Sequence, residues 1–311
     1  MRVLTEAEVR ALLPPPLQLV DLVEEGLLAL AEGRADVPPK PGVHPAPGVR
    51  AHAMPAAFPE RGLLGCKWIA VSPDNVLRGL PTASGLMVVN DGTTGIPTCV
   101  MAAAELTAAR SAAVSGACVR ALAPDGDVAV IGAGAQARSH LRVLAALGHD
   151  GVRVWARRQD SVDELATWAR THADGIRIVP ARSREAAVRD AGTVVTVLAL
   201  GLPDVRLDPA WVREDALLLP LDWASSVGPE LADTALLASD DLRQFEAVAV
   251  ERRTLGAYPA PTTWTGHLLR TRRPRGRIVV QNLGSGLSDL LVGAAVADAA
   301  AASGTGQVVD I

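Results

Sequence analysis

The chain has 311 residues, too many for one ordinary hydrophobic core, so two domains are expected. Apolar residues make up 49% and charged residues 21%, a globular rather than a disordered composition. A net charge of −4 argues against a nucleic-acid or anionic-membrane partner, and two Phe and one Tyr leave few platforms for stacking bases.

Thr5-x-x-Glu8 is a capping box that opens a short helix, with Leu4 placed to staple it. A second helix follows before residue 33, with Leu19, Val20, Val23, Leu27 and Leu30 at helical spacing. The Pro-rich stretch from Val37 to Pro59 reads as extended chain with edge strands. Strands are predicted at Leu63 to Val71, Ser84 to Asn90 and Ile96 to Met101, with Asn90-Asp91-Gly92 supplying the positive-φ residues of a hairpin. An Ala-rich helix then covers Ala103 to Leu122.

Beyond Pro124 the pattern becomes short apolar strands alternating with helices, the signature of a parallel sheet covered on both faces. The strands are read at Val128–Ile131, Val152–Ala156, Ile176–Val179, Thr193–Leu198, Ala216–Leu221 and Ile278–Gln281. A last Ala-rich helix, Ser288 to Ala302, is interrupted by charge, so no stretch is expected to span a bilayer. Cys66, Cys99 and Cys118 show no C-x-x-C spacing and read as small buried hydrophobes, and the six histidines show no metal-ligand spacing. A cytoplasmic protein without a metal centre is expected.

The strand Val128–Ile131 runs into Gly132-Ala-Gly134-Ala135-Gln136-Ala137 and then a helix. Gly132 permits the tight turn, Gly134 lets a pyrophosphate approach the backbone, and Ala137 keeps helix and strand close. The helix N-terminus offers N–H groups and a partial positive charge to the phosphates. The next strand ends in Ala156-Arg157-Arg158, without the acidic residue that would take a ribose 2′-OH. Two arginines there suit a 2′-phosphate, so NADP(H) is favoured over NAD(H). Ser161-x-x-Glu164 reads as the cap of the following helix.

Other residues can carry chemistry. Lys67 shares a strand face with Ile69 and Val71, so its ammonium either reaches solvent or lines a cavity holding an anion. Arg110 lies on a helix face of small and apolar residues, and a buried guanidinium there must find an anion. A substrate carboxylate or cofactor phosphate would serve, as would a structural salt bridge to Glu105 or Asp74. Asp222 ends a strand where parallel sheets bind ligands, which makes it a candidate general acid/base; a cap or turn role gives the same local sequence. The basic run Arg270, Arg272, Arg273, Arg275 and Arg277 reads as a solvated loop.

Taken in order, Lys67-Trp68, Arg78-Gly-Leu-Pro-Thr82, Asp91-x3-Gly95-x-Pro97, Leu106-Thr-Ala-Ala-Arg110-Ser-Ala-Ala113, Ile131-Gly-Ala-Gly-Ala-Gln136, Val154-Trp-Ala-Arg157, Asp222 and Leu283-Gly-Ser-Gly-x-x-Asp289 resemble the ornithine cyclodeaminase/mu-crystallin family. The resemblance implies an α/β fold: a Rossmann-type doubly wound parallel sheet in residues 113–287, and an α+β dimerisation and substrate domain built from 1–112 with 288–311. It implies a homodimer that interconverts amines and imines through a nicotinamide. Lys67 and Arg110 would bind the substrate carboxylate with Thr82 nearby, and Asp222 would meet the amine and handle protons. Ser111, Gly134, Ala135, Gln136, Arg157 and Arg158, with Gly132 and Asn282, would hold the cofactor.

Two positions depart from the pattern. Where the family usually carries a third, arginine anchor this chain has Lys40, which cannot make a planar two-pronged contact. Asp222 is followed by Trp223-Ala-Ser-Ser rather than a short Pro/Gly turn, so Trp223 either reshapes the pocket or packs. The leading expectation is an NADPH-dependent reductase of an imine, or the reverse amino-acid dehydrogenase, acting on a small amino-acid-like substrate. Two others stand beside it: a cyclodeaminase with tightly bound NAD(H), and a non-catalytic nicotinamide and small-molecule binder.

Overall fold

The computed structural model describes residues 1–310 except 174, 200, 201, 203 and 252–257. The chain forms two compact units, 1–110 with 284–311, and 111–283.

The first stretch runs β1 (Arg2–Leu4), α1 (Glu6–Leu12), α2 (Pro16–Ala31), β2 (Gly42–Ala46), β3 (Val49–Phe58), β4 (Leu63–Val71), β5 (Ala83–Asp91), β6 (Pro97–Ala102) and α3 (Ala104–Leu122). Then come β7 (Asp127–Ile131), α4 (Ala135–Ala146), β8 (Gly151–Trp155), α5 (Gln159–His172), β9 (Arg177–Pro180), α6 (Arg184–Val188) and β10 (Ala191–Thr196). β11 (Leu217–Pro220), α7 (Pro229–Ala232), β12 (Ala235–Ser239), α8 (Leu242–Glu251), β13 (Thr263–Trp264), α9 (Thr265–Leu268) and β14 (Arg277–Gln281) follow. The chain closes with α10 (Gly286–Ser303) and β15 (Gln307–Val308).

In the first unit seven strands form one sheet in the order β15-β1-β6-β5-β4-β3-β2, antiparallel except for the β1–β6 pair. The capping box forms: Thr5 accepts from the Glu8 N–H, and the Glu8 carboxylate accepts from the Thr5 N–H at 2.8 Å. The apolar stripe of α2, Leu19, Val20, Val23, Leu27 and Leu30, is buried, and truncating one of its leucines to Ala costs about 2–5 kcal/mol.

The Pro-rich stretch holds one edge strand, β2, and a ten-residue strand, β3, paired with both β2 and β4. Pro55 fits in β3 because it falls between Ala53 and Ala57, whose N–H groups bond Pro41 and Asp36 outside the β4 ladder. In the β5–β6 hairpin the positive φ is at Gly95 (73°), not at Asn90-Asp91-Gly92. Asp91 instead accepts from the Thr93 and Thr94 N–H groups and holds the loop by its side chain.

α10 is the central helix of this unit. A Cβ on Gly286 would come within 2.8 Å of the Met54 carbonyl, so the helix starts flush against β3. Along it, Gly293 sits against Met87, and Leu287 and Leu291 meet Gly26 of α2. Contrary to the sequence expectation, α10 has the length and mean hydropathy (1.3) of a membrane span; 61% of it is buried inside the protein, as in a core helix.

Among the described residues the second unit forms an eight-stranded parallel sheet in the order β13-β12-β14-β11-β10-β7-β8-β9. The six predicted strands appear within one or two residues of their expected ends, and β12 and β13 extend the sheet beyond β14. The order reverses at β7, where β8 lies on one side and β10 on the other. That switch point opens the crevice where doubly wound sheets take ligands. The basic run is not a solvated loop throughout. Arg273 donates to the Leu122 carbonyl at 2.7 Å and Arg277 to the carbonyls of Arg213, Pro209 and Val212, so Arg273 holds the end of α3 and Arg277 the segment ahead of β11.

Candidate active site

Lys67 is fully buried, which excludes the solvent-reaching alternative. Its place follows from register: on the inner face of the first unit's sheet Met54, Lys67, Met87 and Met101 stand opposite one another across β3, β4, β5 and β6. Among these apolar neighbours the ammonium finds Asp289 of α10, with Nζ 2.7 Å from Oδ1, and Thr107 of α3, with Nζ 3.2 Å from Oγ1. Burial lowers the Lys67 pKa to about 7; Asp289 opposes that fall, while Arg110 and Lys40 add to it.

Arg110, one turn along α3 from Thr107, donates through Nε to the same Asp289 oxygen at 2.9 Å. Its partner is therefore neither Glu105, which pairs with Arg10, nor Asp74. Gly284 makes room for the guanidinium: its φ is +88°, and a Cβ there would lie 2.9 Å from an Arg110 nitrogen. Asp289 itself is fully exposed to no solvent, sits in the first turn of α10, and its Oδ2 has no hydrogen-bond partner. Lys40 is half-buried just ahead of β2, and Thr82 is exposed, its carbonyl accepting from the Ser72 N–H.

In the second unit Asp222 lies just past the end of β11 and is fully buried. The Thr196 hydroxyl donates to Oδ1 at 3.0 Å, and Ser226 donates its hydroxyl to Oδ2 and its N–H to Oδ1. Burial pushes the carboxyl above its ordinary value, against the lowering effect of these hydrogen bonds. The turn role is thus real. Trp223 takes the left-handed region at φ 58°, a strain of about 1 kcal/mol or more that turns the chain so that Ser226 returns to Asp222. The indole packs against the hydrophobic core of this unit.

Near Asp222 lies Tyr258, a residue the sequence reading passed over. It is buried, accepts from Gln281 Nε2 at 2.6 Å, and has its pKa raised by burial and further by the Asp222 charge. Gln281 ends β14, and the next residue, Asn282, donates to the Ser111 carbonyl at 3.4 Å while its Oδ1 stays unpartnered and buried.

The loop after β7 fits a dinucleotide. Gly132 has φ +123°, and a Cβ there would meet the Val197 carbonyl at 2.9 Å, so only glycine makes this turn. A Cβ on Gly134 would meet nothing within 4 Å, which leaves open space in front of the first turn of α4. That turn has no side-chain cap, so its N–H groups are available to a pyrophosphate. Gln136 is fixed from below by His140, whose neutral ring donates from Nδ1 to the Gln136 carbonyl and accepts from Ser115; burial lowers its pKa to about 4.

Arg157 and Arg158 are exposed beyond the end of β8. Ser161 is not the cap of α5. The N-cap is Arg158, whose guanidinium donates back to the Ser161 hydroxyl at 3.1 Å. Among the described residues no group of three or more His, Cys, Asp or Glu is placed to hold a metal.

The family model for the ornithine cyclodeaminase/mu-crystallin family matches residues 1–252. The nodulation efficiency protein NfeD of Rhizobium meliloti is 35% identical over 99% of this chain and 98% of its own. Delta(1)-pyrroline-2-carboxylate reductase 1 of Burkholderia multivorans is 33% identical over 58% of this chain and 56% of its own. Among solved structures an archaeal alanine dehydrogenase dimer with bound NAD superposes with a TM-score of 0.86 at 25% identity, over 100% of this chain and 99% of that one. The chain belongs to the ornithine cyclodeaminase/mu-crystallin family.

Proposed function

We propose that the protein reduces the C=N bond of a small imino acid with NADPH, or runs the reverse amino-acid dehydrogenation. The observation that carries this reading is the buried Lys67 and Arg110 gathered at one Asp289 oxygen. Two cations around a single carboxylate leave a surplus positive charge, which a substrate carboxylate neutralises. The cofactor is a nicotinamide dinucleotide, and when bound it supplies the hydride.

In this reading Lys67 and Arg110, with Lys40 and Thr82, bind the anionic end of the substrate. Asp222, buried and with its proton affinity raised, holds or releases the proton at nitrogen. Gly132, Gly134, Ala135 and Gln136 cradle the pyrophosphate, and Ser111 and Asn282 line the cofactor site. Mixing the protein with a cyclic imino acid such as pyrroline-2-carboxylate should consume NADPH in proportion to imine. Ammonia release without net change at the nicotinamide absorbance would instead identify a cyclodeaminase. Saturable NADPH binding without turnover would leave a binding protein.

The preference for NADP(H) rests on the exposed pair Arg157 and Arg158 and on the absence of an acidic residue before them at the β8 end. Each exposed guanidinium on a 2′-phosphate contributes about 1.5 kcal/mol, the low end for a charged hydrogen bond. Replacing both with Ala should weaken NADPH binding at least tenfold and leave NADH binding within twofold, read by fluorescence titration. Equal loss for both cofactors would remove the assignment.

The protein is proposed to act as a homodimer in the cytoplasm, where thiols such as those of Cys66 and Cys99 stay reduced. One face of the first unit's sheet is covered by α10. On the other, Trp68 (47% exposed) and Leu86 (50%) pair across β4 and β5, with Leu64 four residues along β4 on the same face. A second copy of the chain is the partner proposed for this apolar face, in line with the dimeric archaeal relative. Trp68→Glu should therefore shift the protein to monomer in size-exclusion chromatography; an unchanged elution volume would count against this face.

A further inference from the structure

We propose that Asp289 is the positioning residue of the anion-binding pair: through one carboxylate oxygen it sets the direction of both the Lys67 ammonium and the Arg110 guanidinium. This rests on the carboxylate-binding role given to those two residues above. The three side chains come from three elements, β4, α3 and α10, and they meet at Asp289 Oδ1, 2.7 Å from Lys67 Nζ and 2.9 Å from Arg110 Nε.

An ammonium has three donors. Asp289 and Thr107 account for two, which leaves one N–H with a fixed direction. A guanidinium held through Nε has its plane fixed, so the edge it offers a ligand is fixed too. Neither side chain then has to be ordered when substrate arrives, and the entropy of ordering it is not charged to binding.

The backbone around Asp289 is built to the same end. Gly286 allows α10 to start against the Met54 and Pro55 carbonyls of β3, which brings its first turn over the strand row that holds Lys67. Gly284 leaves the space that the guanidinium fills. Asp289 Oδ2 is buried with no hydrogen-bond partner, an arrangement that costs stability in a merely structural carboxylate.

Asp289 also sets the protonation of the site. The groups that face the Lys67 ammonium are Asp289 from α10, Arg110 and Thr107 from α3, and Lys40 from the segment before β2, with Met54 and Met87 beside it on the sheet. Asp289 is the one carboxylate among them, and it alone favours the charged ammonium by Coulomb attraction. A carboxylate ligand needs that charge.

The test uses Asp289→Asn, which keeps the shape and one acceptor oxygen and removes the charge. Affinity for a ring carboxylate such as pyrrole-2-carboxylate, read by thermal shift across pH 5–9, should fall at least tenfold at pH 7. The pH at which binding is half lost should move down by about 1 unit. In turnover, KM for the imino acid should rise more than kcat falls.

Lys67→Met, alone and with Asp289→Asn, supplies the second arm. If Asp289 acts through the pair, its substitution costs less affinity when Lys67 is already absent. Equal cost in both backgrounds, or an unmoved pH midpoint, overturns the proposal. The two readings fail separately. Carboxylate binding with these shifts but no NADPH consumption sinks the reductase, whereas imine turnover with an unmoved pH midpoint in Asp289→Asn sinks the positioning role.

Discussion

Asp222→Asn should lower kcat for imine reduction by about 10²- to 10⁴-fold, the usual contribution of a positioned proton donor or acceptor, while cofactor affinity stays within twofold. The amide matches the carboxylate in shape and can still accept from Thr196 and the Ser226 N–H through its oxygen. It cannot give up or take a proton at neutral pH. In the reductive direction the useful form of Asp222 is the acid, and burial favours that form by raising the pKa. Activity should therefore decline as pH rises through that raised value, and Asp222→Asn should lose this limb.

The same shift has a consequence for stability. The folded protein holds the Asp222 proton more tightly than the unfolded chain, so this group's contribution falls as pH rises from the ordinary carboxylate value to the folded one. The substitution removes that fall. Turnover within threefold of the unmodified protein would show that Asp222 only shapes the turn.

Lys67→Met should raise the KM for an anionic substrate roughly tenfold to a hundredfold, the cost of losing a charge-assisted hydrogen bond of about 1.5–3 kcal/mol. Methionine is chosen because Met54 and Met87 flank the position and a thioether packs where the lysine stem lay. The pH dependence gives a second reading. Lys67 releases its proton near pH 7 in the folded protein and near 10.5 in an exposed chain. Between those values the unfolded state binds more protons, so the group's contribution to stability rises with pH over that window. Lys67→Met should flatten that rise in thermal melts taken from pH 7 to 10. An unchanged KM would remove Lys67 from the substrate site.

Much of the second unit was legible because its signals are local. A strand, a Gly-x-Gly-x-x-Ala turn and a helix follow one another within 20 residues; Gly132 and Gly134 have the separate geometric tasks that the spacing implies, and Ala137 is fully buried. The strands that escaped, β1, β12, β13 and β15, are two to five residues long, too short to show a period. Ser161 was misread for a related reason. A cap sequence is recognised by spacing alone, and the helix here starts three residues earlier than a Ser161 cap implies.

The candidate site was legible in its cations and obscure in its anion. Lys67 and Arg110 are conspicuous because charge on an apolar face demands a partner. Asp289 looks like an ordinary acid near the start of an Ala-rich helix, and it lies 179 residues from Arg110. Only the sheet register and the close start of α10 on β3 reveal where its carboxylate points. Arg273 and Arg277 show the same limit. A run of five arginines looks solvated until the carbonyls that two of them hold are seen.

The row across the sheet also makes the protein convenient for magnetic resonance. Of its four methionines, one is the first residue, and the other three, Met54, Met87 and Met101, stand in line with Lys67. Growth on methyl-labelled methionine would place an isotopic reporter on either side of the ammonium and a third one strand further out. Such a spectrum would follow the charge state of Lys67 and the arrival of a ligand from three methyl signals, without any substitution in the chain.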